Sequence, residues 1–166
     1  MNEINLIKNL SLKKKSILII FVLIIIGIVT GYIISEFSLQ IIITELNKLP
    51  IKIDPIRINR SINYYTGALV CVAVEILLLI GILFVYLNSY RKIKSWFLLG
   101  LNVFILALFI RSLLSVISIH NMATEHIRIS PYISRTFLTP GFNELNFVAY
   151  VFEIIALSIL FYLSME

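Results

Sequence analysis

The sequence predicts an all-α integral membrane protein: a bundle of four transmembrane helices whose two extracytoplasmic loops are candidates for a small β-sheet. Of its 166 residues, 60% are hydrophobic and 14% are charged, whereas soluble domains carry about 25% charged residues. The mean hydropathy is +1.00. The apolar residues are concentrated in four runs, each long enough at about 1.5 Å per residue to cross a hydrocarbon layer of roughly 30 Å. These observations exclude an ordinary soluble domain and favour one membrane domain over residues 1–166.

The first predicted helix covers residues 17–39 and follows a polar segment, residues 1–16, that ends in three consecutive lysines, Lys13, Lys14 and Lys15. A basic segment before an apolar run is also typical of a signal peptide. This run is longer than the apolar part of a signal peptide, and no small-residue cleavage site follows it. We therefore expect a membrane helix preceded by a cytoplasmic N-terminus.

The second and third predicted helices, residues 66–87 and 96–119, are joined by a short basic turn, residues 88–95. So short a connection predicts an antiparallel hairpin. The third helix begins at Trp96, a residue type enriched where a membrane helix meets water. The fourth predicted helix, residues 145–163, follows the dipeptide Pro140-Gly141, which interrupts regular secondary structure.

The two long connections, residues 40–65 and 120–144, share an alternating pattern. In residues 51–59 and 127–134, isoleucines nearly alternate with polar residues around a proline, which is typical of extended segments. Because four spans place both connections on the same side of the membrane, we expect the two segments to pair as a small sheet.

The positive charges predict an orientation. The N-terminal segment and the basic turn hold seven lysines and arginines, and the two long loops hold six in about twice as many residues. Basic residues close to helix ends favour the cytoplasmic side. We therefore expect a multi-pass protein of the cell membrane with both termini in the cytoplasm. The net charge of +5 then reflects contact with lipid headgroups, and no nucleic acid is expected as a partner.

Three ionisable residues lie well inside predicted spans: Glu75, Arg111 and Glu153. Counted from the outer helix ends, all three are at a similar depth. An isolated charge at the centre of a membrane helix costs about 2.5–3.5 kcal/mol on insertion, and pairing lowers that cost. The sequence therefore predicts an intramembrane charge cluster formed by these residues.

Helical spacing places small and polar residues on the same helix faces as the three charges. The faces are Ala68, Cys71 and Glu75 in the second helix; Gly100, Phe104, Ala107, Arg111, Ser115 and Ser118 in the third; and Asn146, Tyr150, Glu153 and Ala156 in the fourth. Because small residues allow helices to approach closely, we expect these faces to meet in the bundle interior. Gly27, Gly31 and Ser35 give the first helix a comparable contact face.

Two interpretations of the charges are open: an outward-facing polar pocket that binds an ion, a proton or a polar group, and a structural clamp that fixes helix register. The candidate binding residues are Glu75, Arg111, Glu153, Ser115 and Tyr150. The predicted function is a non-enzymatic binding, assembly or accessory subunit without a cofactor. Its partner is the bilayer together with another membrane protein or a second copy of itself. The alternative is a proton- or ion-coupled transporter or channel subunit.

A different alternative uses Cys71, Arg111, His120 and His126 as candidate catalytic residues. A thiol, a base and a cation are chemically sufficient for acyl transfer. The set resembles the exosortase and archaeosortase family of membrane transpeptidases, which implies a transpeptidase or protease with Cys71 as nucleophile. The segments LVCVAVE and LFIR depart from that family's pattern. Glu75, Arg111 and His120 also resemble the phosphate-starvation-inducible four-helix membrane family, which implies no known chemistry.

A metal site is the last possibility in the sequence. His120, Glu125 and His126 carry metal-binding side chains, but in a predicted loop nothing fixes their spacing on a helix. We interpret them as solvated loop residues and expect no metal.

Overall fold

A computed structural model describes residues 3–47, 55–129 and 144–165. These residues form four helices, which confirms the all-α prediction. The helices are α1 (Glu3–Asn47), α2 (Pro55–Ile93), α3 (Trp96–Ile129) and α4 (Glu144–Ser164). Each contains a stretch long and apolar enough to cross a membrane: Lys14–Ile41, Tyr65–Ile93, Trp96–Asn121 and Phe147–Ser164.

The helices are longer than the sequence predicts. The N-terminal segment is already helical from Glu3, and α1 continues to Asn47. The turn between α2 and α3 shrinks to Lys94 and Ser95. The apolar pattern marks only the stretch suited to lipid, whereas a helix that is already nucleated extends at little cost through polar residues with good helix propensity.

The predicted β-sheet is not supported, because the described part of the chain contains no strand. Residues 55–59 form the start of α2 and residues 127–129 the end of α3; residues 51–54 and 130–134 lie outside the described residues. Pro55 is the first residue of α2, where its fixed φ fits a helix and its missing N–H has no partner to lose. So short an isoleucine alternation does not exclude a helix.

α1 and α2 pack antiparallel with their backbones almost in contact. A Cβ atom at Gly27 would lie 2.7 Å from Cα of Val74, and one at Gly31 would lie 2.6 Å from Cα of Val70. One turn further on, the Ser35 hydroxyl donates a hydrogen bond to Oγ1 of Thr66 at 2.9 Å. The small-residue face predicted for the first helix is therefore the face that α2 occupies.

α2 and α3 form the predicted hairpin through a two-residue turn. Lys94 adopts a positive φ of 50°, and its N–H donates to the Tyr90 carbonyl at 2.8 Å, which caps α2. The Leu99 N–H donates to the Ser95 carbonyl at 3.1 Å as α3 begins. The chain thus reverses direction within two residues.

α2 is the central helix: in an 18-residue apolar window of its span half of the residues are buried, against 11–17% in the windows of the other three spans. Two apolar clusters hold the bundle together along it. One consists of Val74, Leu78, Leu79, Ile82, Ile105, Leu157 and Phe161, and the other of Tyr65, Ala68, Leu69, Val72 and Ile119.

α4 packs on α2 where two of its aromatic rings cover glycines. Phe147 lies over Gly67 and Phe161 over Gly81, so the two helices run parallel. α3 and α4 both contact α2, but within the described ranges no Cα atom of α3 comes within 8 Å of one in α4. This gap, with α2 behind it, is here named the α3–α4 groove.

Candidate functional site

Glu75 is a buried carboxylate on the central helix. It lies on α2 between the two apolar clusters and is 4% exposed. The Ser112 hydroxyl on α3 donates a hydrogen bond to Oε1 of Glu75 at 2.6 Å. Ser112 itself is 1% exposed. A buried polar group is tolerated when it has such a partner, so this hydrogen bond ties α3 to α2 at the level of Glu75.

Arg111 and Glu153 form an ion pair across the α3–α4 groove. Nη1 of Arg111 lies 2.5 Å from Oε1 of Glu153. The Arg111 side chain is 58% exposed and that of Glu153 is 29% exposed. Unlike Glu75, this pair therefore lies on the surface of the bundle and not in its core.

The interior position predicted for the Arg111 face of the third helix is wrong. Phe104 on that face is 56% exposed, and Gly100, Ala107 and Ser118 are also exposed. The buried face of α3 contains Asn102, Ile105, Ser112 and Ile119. The two faces differ by one residue, about 100° of helix rotation. The flexible arginine reaches Glu153 from the surface while Ser112, next in sequence, takes the place opposite Glu75.

Tyr150 and Ser115 differ in their relation to the charges. Tyr150 on α4 is half-buried beside the cluster around Val72 and is close enough to Glu75, Glu153 and Arg111 to interact with them electrostatically. The Ser115 hydroxyl instead donates to the backbone carbonyl of Arg111 at 3.1 Å. The structure thus places Tyr150 within electrostatic range of the three charges, whereas the hydrogen bond of Ser115 stays within its own helix.

The described candidate catalytic residues lie on two helices, Cys71 on α2 and Arg111 and His120 on α3. Cys71 lies one turn from Glu75 and is buried as a free thiol at 8% exposure. His120 is half-buried near the end of the third candidate span, and the side chain of His126 lies outside the described residues. Within the described part of the chain, no three histidine, cysteine or acidic side chains are grouped as a metal would require.

Comparison with known proteins gives one match. A family of unknown function (DUF8036) matches residues 64–165, which is more than half of the chain. The chain belongs to the DUF8036 family. The DUF8036 region begins at the start of the second candidate span and contains Glu75, Arg111 and Glu153, whereas α1 precedes it. No curated protein and no solved structure matches the chain.

Ser112 is the residue of the DUF8036 region that sequence reasoning missed. In the sequence, a charge in an apolar run is more conspicuous than a hydroxyl, so Arg111 stands out and the adjacent Ser112 does not. The available signal was the seven-residue spacing of Ile105, Ser112 and Ile119, all of which are buried. Such spacing is typical of a helix face that packs against a neighbouring helix.

Asn102 is a second buried polar residue on the same face. It is 7% exposed, and its Nδ2 donates to the Leu98 carbonyl at 2.8 Å. Its Oδ1 is buried without a hydrogen-bond partner in the described part of the DUF8036 region. Unlike Ser112, Asn102 therefore leaves an acceptor unsatisfied.

Proposed function

We propose that this protein is a multi-pass protein of the cell membrane that acts as a non-enzymatic binding or assembly subunit. It binds a partner membrane helix through the α3–α4 surface. This surface consists of Arg111 and Glu153 together with their exposed neighbours Phe104, Ala107, Ser118 and Ala156. The observation that carries the proposal is the exposed ion pair in the middle of two candidate spans.

An exposed guanidinium at this depth is unfavourable unless protein or water surrounds it. Insertion of an arginine at the centre of a membrane helix costs about 2.5–3.5 kcal/mol, and polar groups at that depth face protein or water more often than lipid. The bond to Glu153 uses one of the five N–H donors of Arg111. A partner segment that offers further hydrogen-bond acceptors lowers the free-energy cost of placing the remaining N–H donors at this depth in the membrane.

The neighbours of the ion pair favour a helix as the partner. Ala107, Ser118 and Ala156 are small and exposed, and small residues let two membrane helices approach closely enough for polar side chains to pair between them. The α1–α2 contact at Gly27 and Gly31 shows the same principle already in use within the chain.

We also propose that both termini and the α2–α3 turn face the cytoplasm. The exposed basic residues Lys14, Lys15, Arg91, Lys92 and Lys94 gather at one end of the bundle. α1 enters its span at that end and α4 leaves its span there. Positive charge beside helix ends is the usual mark of the cytoplasmic side.

Site-specific photo-crosslinking in native membranes tests the proposed binding surface. A photoreactive residue at Ala107 on the α3–α4 surface is expected to give a covalent adduct with a protein. The matched control is Ile33, which is 61% exposed on α1 and is expected to contact lipid alone. Equal adduct yields at Ala107 and Ile33, or none at either, would contradict the proposal.

A second candidate is a proton- or ion-coupled transporter or channel subunit. It is favoured by the position of Glu75, a buried carboxylate within electrostatic range of the Arg111–Glu153 pair, since carboxylates at membrane depth often serve ion or proton pathways. Flux into liposomes that is abolished by Glu75→Gln and unaffected by Cys71→Ala would support it. Acyl transfer is not proposed, because a nucleophile has to reach its substrate and Cys71 is buried.

A further inference from the structure

We infer that the partner on the α3–α4 surface is a second copy of this chain, placed so that Arg111 of each copy pairs with Glu153 of the other. This inference rests on the proposed function, because it names the occupant of the same surface.

The charges on the surface are self-complementary. Arg111 and Glu153 are side by side and both partly exposed, so the surface shows one positive and one negative group at the same depth. A two-fold axis perpendicular to the membrane preserves depth and brings each patch against its own copy. The arginine of one protomer then faces the glutamate of the other, and the reverse contact follows by symmetry.

The pairing capacity of the two side chains fits this arrangement. A guanidinium has five N–H donors in a planar fork, and a carboxylate has about four acceptor sites. Within one chain, Arg111 and Glu153 make one hydrogen bond to each other. In the symmetric dimer, two arginines and two glutamates alternate around the axis. Each charge then has neighbours of opposite sign, and the four charges sum to zero.

The space around the charges allows the approach. A Cβ atom at Gly100 would meet nothing within 4 Å, and Ala107 and Ser118 on the same face are exposed. By contrast, the space beside Gly27 and Gly31 of α1 is already filled by α2. The open small residues of α3 lie on both sides of Arg111 along the helix, so α4 of the second copy can come close to α3 at the level of the charges.

The exposed surface of α1 lacks these features. Its exposed side chains include Phe21, Ile25 and Ile33, which suit contact with lipid. The exposed charge in its outer half, Glu36, lies within two turns of the end of the span at Ile41, close enough to reach the interface. Mid-span charge that needs a protein partner is therefore found on the α3–α4 surface.

Cysteine crosslinking in native membranes tests the inference. In the proposed dimer the two copies of α3 lie diagonally across the axis, too far apart for a direct disulfide, so a bifunctional maleimide with a flexible arm is used. In a Cys71→Ala background, a single cysteine at Ser118 is expected to be joined into a covalent dimer of twice the chain mass. A cysteine at Ile33 on α1 is expected to stay monomeric. Either Arg111→Glu or Glu153→Arg, added to the Ser118→Cys chain, places like charges against each other. We expect each to lower the dimer yield about tenfold, which corresponds to about 1.4 kcal/mol.

Co-expression of the two charge-reversed chains distinguishes pairing between chains from pairing within a chain. Each reversed chain has like charges internally, but the mixed dimer has opposite charges at both contacts. With different tags on the two chains, the mixed dimer is expected to recover the parental yield. The chain that carries both reversals keeps every pair and serves as the folding control, so it is also expected to crosslink like the parent.

The crosslinking results distinguish the reciprocal pairing, the second copy and the binding function from one another. If the parent crosslinks at Ser118 but the mixed dimer does not recover, reciprocal Arg111–Glu153 pairing is overturned. If Ser118 gives no dimer while the photoreactive residue at Ala107 captures a different protein, the second copy is overturned and the binding function stands. If neither position gives any adduct, the proposed function itself fails.

Discussion

Arg111 and Glu153 form an ion pair between two helices whose backbones do not approach each other. Nη1 and Oε1 are 2.5 Å apart, yet within the described residues no Cα of α3 lies within 8 Å of one in α4. Two long side chains thus span a groove that apolar packing leaves open. Glu75, by contrast, is bonded where α3 packs directly on α2. One carboxylate is thus buried and bonded to a neighbouring helix, whereas the Arg111–Glu153 pair is partly exposed.

The Glu75–Ser112 hydrogen bond is expected to stabilise the fold. Ser112→Ala leaves a buried carboxylate oxygen without its donor, which costs about 1–3 kcal/mol. We expect a clear decrease in Tm in mild detergent. The control is Ser115→Ala, because Ser115 donates only within its own helix and its loss should change Tm little. An unchanged Tm for Ser112→Ala would show that the bond contributes nothing.

The glycines of α1 are expected to be intolerant of a single methyl group. Gly31→Ala places Cβ 2.6 Å from Cα of Val70, so the helices must separate and Tm should fall. Overpacking of this kind costs about 1–3 kcal/mol. Gly100→Ala, where nothing lies within 4 Å, should leave Tm unchanged or raise it through better helix propensity. Equal effects of the two substitutions would contradict the close approach of α1 and α2.

The four helices could be predicted because each apolar run is long enough to cross a membrane. A helix that faces lipid needs no polar face, so its sequence is apolar almost throughout. It could not predict the rotation of α3. Arg111 and Ser112 are adjacent, and a charge in a span suggests an inward direction. Ile105 and Ile119 decide the rotation, because they fit against α2 together with Ser112. Side-chain length then lets Arg111 reach Glu153 from outside the core.

The predicted sheet is not supported among the described residues, for a related reason. The isoleucines in residues 51–59 nearly alternate, but Pro55 begins α2, and helix geometry continues from it into the candidate span. Alternation over a few residues indicates a strand only when neither side is a long helix. The contact face of α1 was easier to predict, because Gly27, Gly31 and Ser35 form a stripe of small residues that is visible in the sequence.

Removal of the unpaired polar group at Asn102 is expected to be harmless to the fold. Its Oδ1 is buried without a partner in the described part of the chain, so Asn102→Leu removes an unsatisfied acceptor and adds apolar surface of similar size. An unsatisfied buried group costs about 1–3 kcal/mol, and we expect Tm to stay the same or rise. A decrease as large as that for Ser112→Ala would show that Oδ1 has a partner.

The proposed orientation is open to cysteine labelling in a Cys71→Ala background. A cysteine at Lys92, in the basic end of the bundle, should react with an impermeant maleimide only after the cells are permeabilised. A cysteine at Thr44, exposed near the opposite end of α1, should react in intact cells. The reverse result would invert the topology, and labelling of both positions in intact cells would contradict a fixed orientation.

We propose that the Arg111–Glu153 pair serves association and not folding, and the variant Arg111→Gln separates these two roles. Thermal stability of the monomer in mild detergent and photo-crosslinking from Ala107 in native membranes are measured on the same variant. Because the Arg111 side chain is 58% exposed and contributes to neither apolar cluster, we expect a Tm close to that of the parent and a loss of most of the adduct. If Arg111→Gln instead unfolds the monomer and a second substitution, Glu153→Gln, restores it, the pair is a structural clamp and its role in association is contradicted.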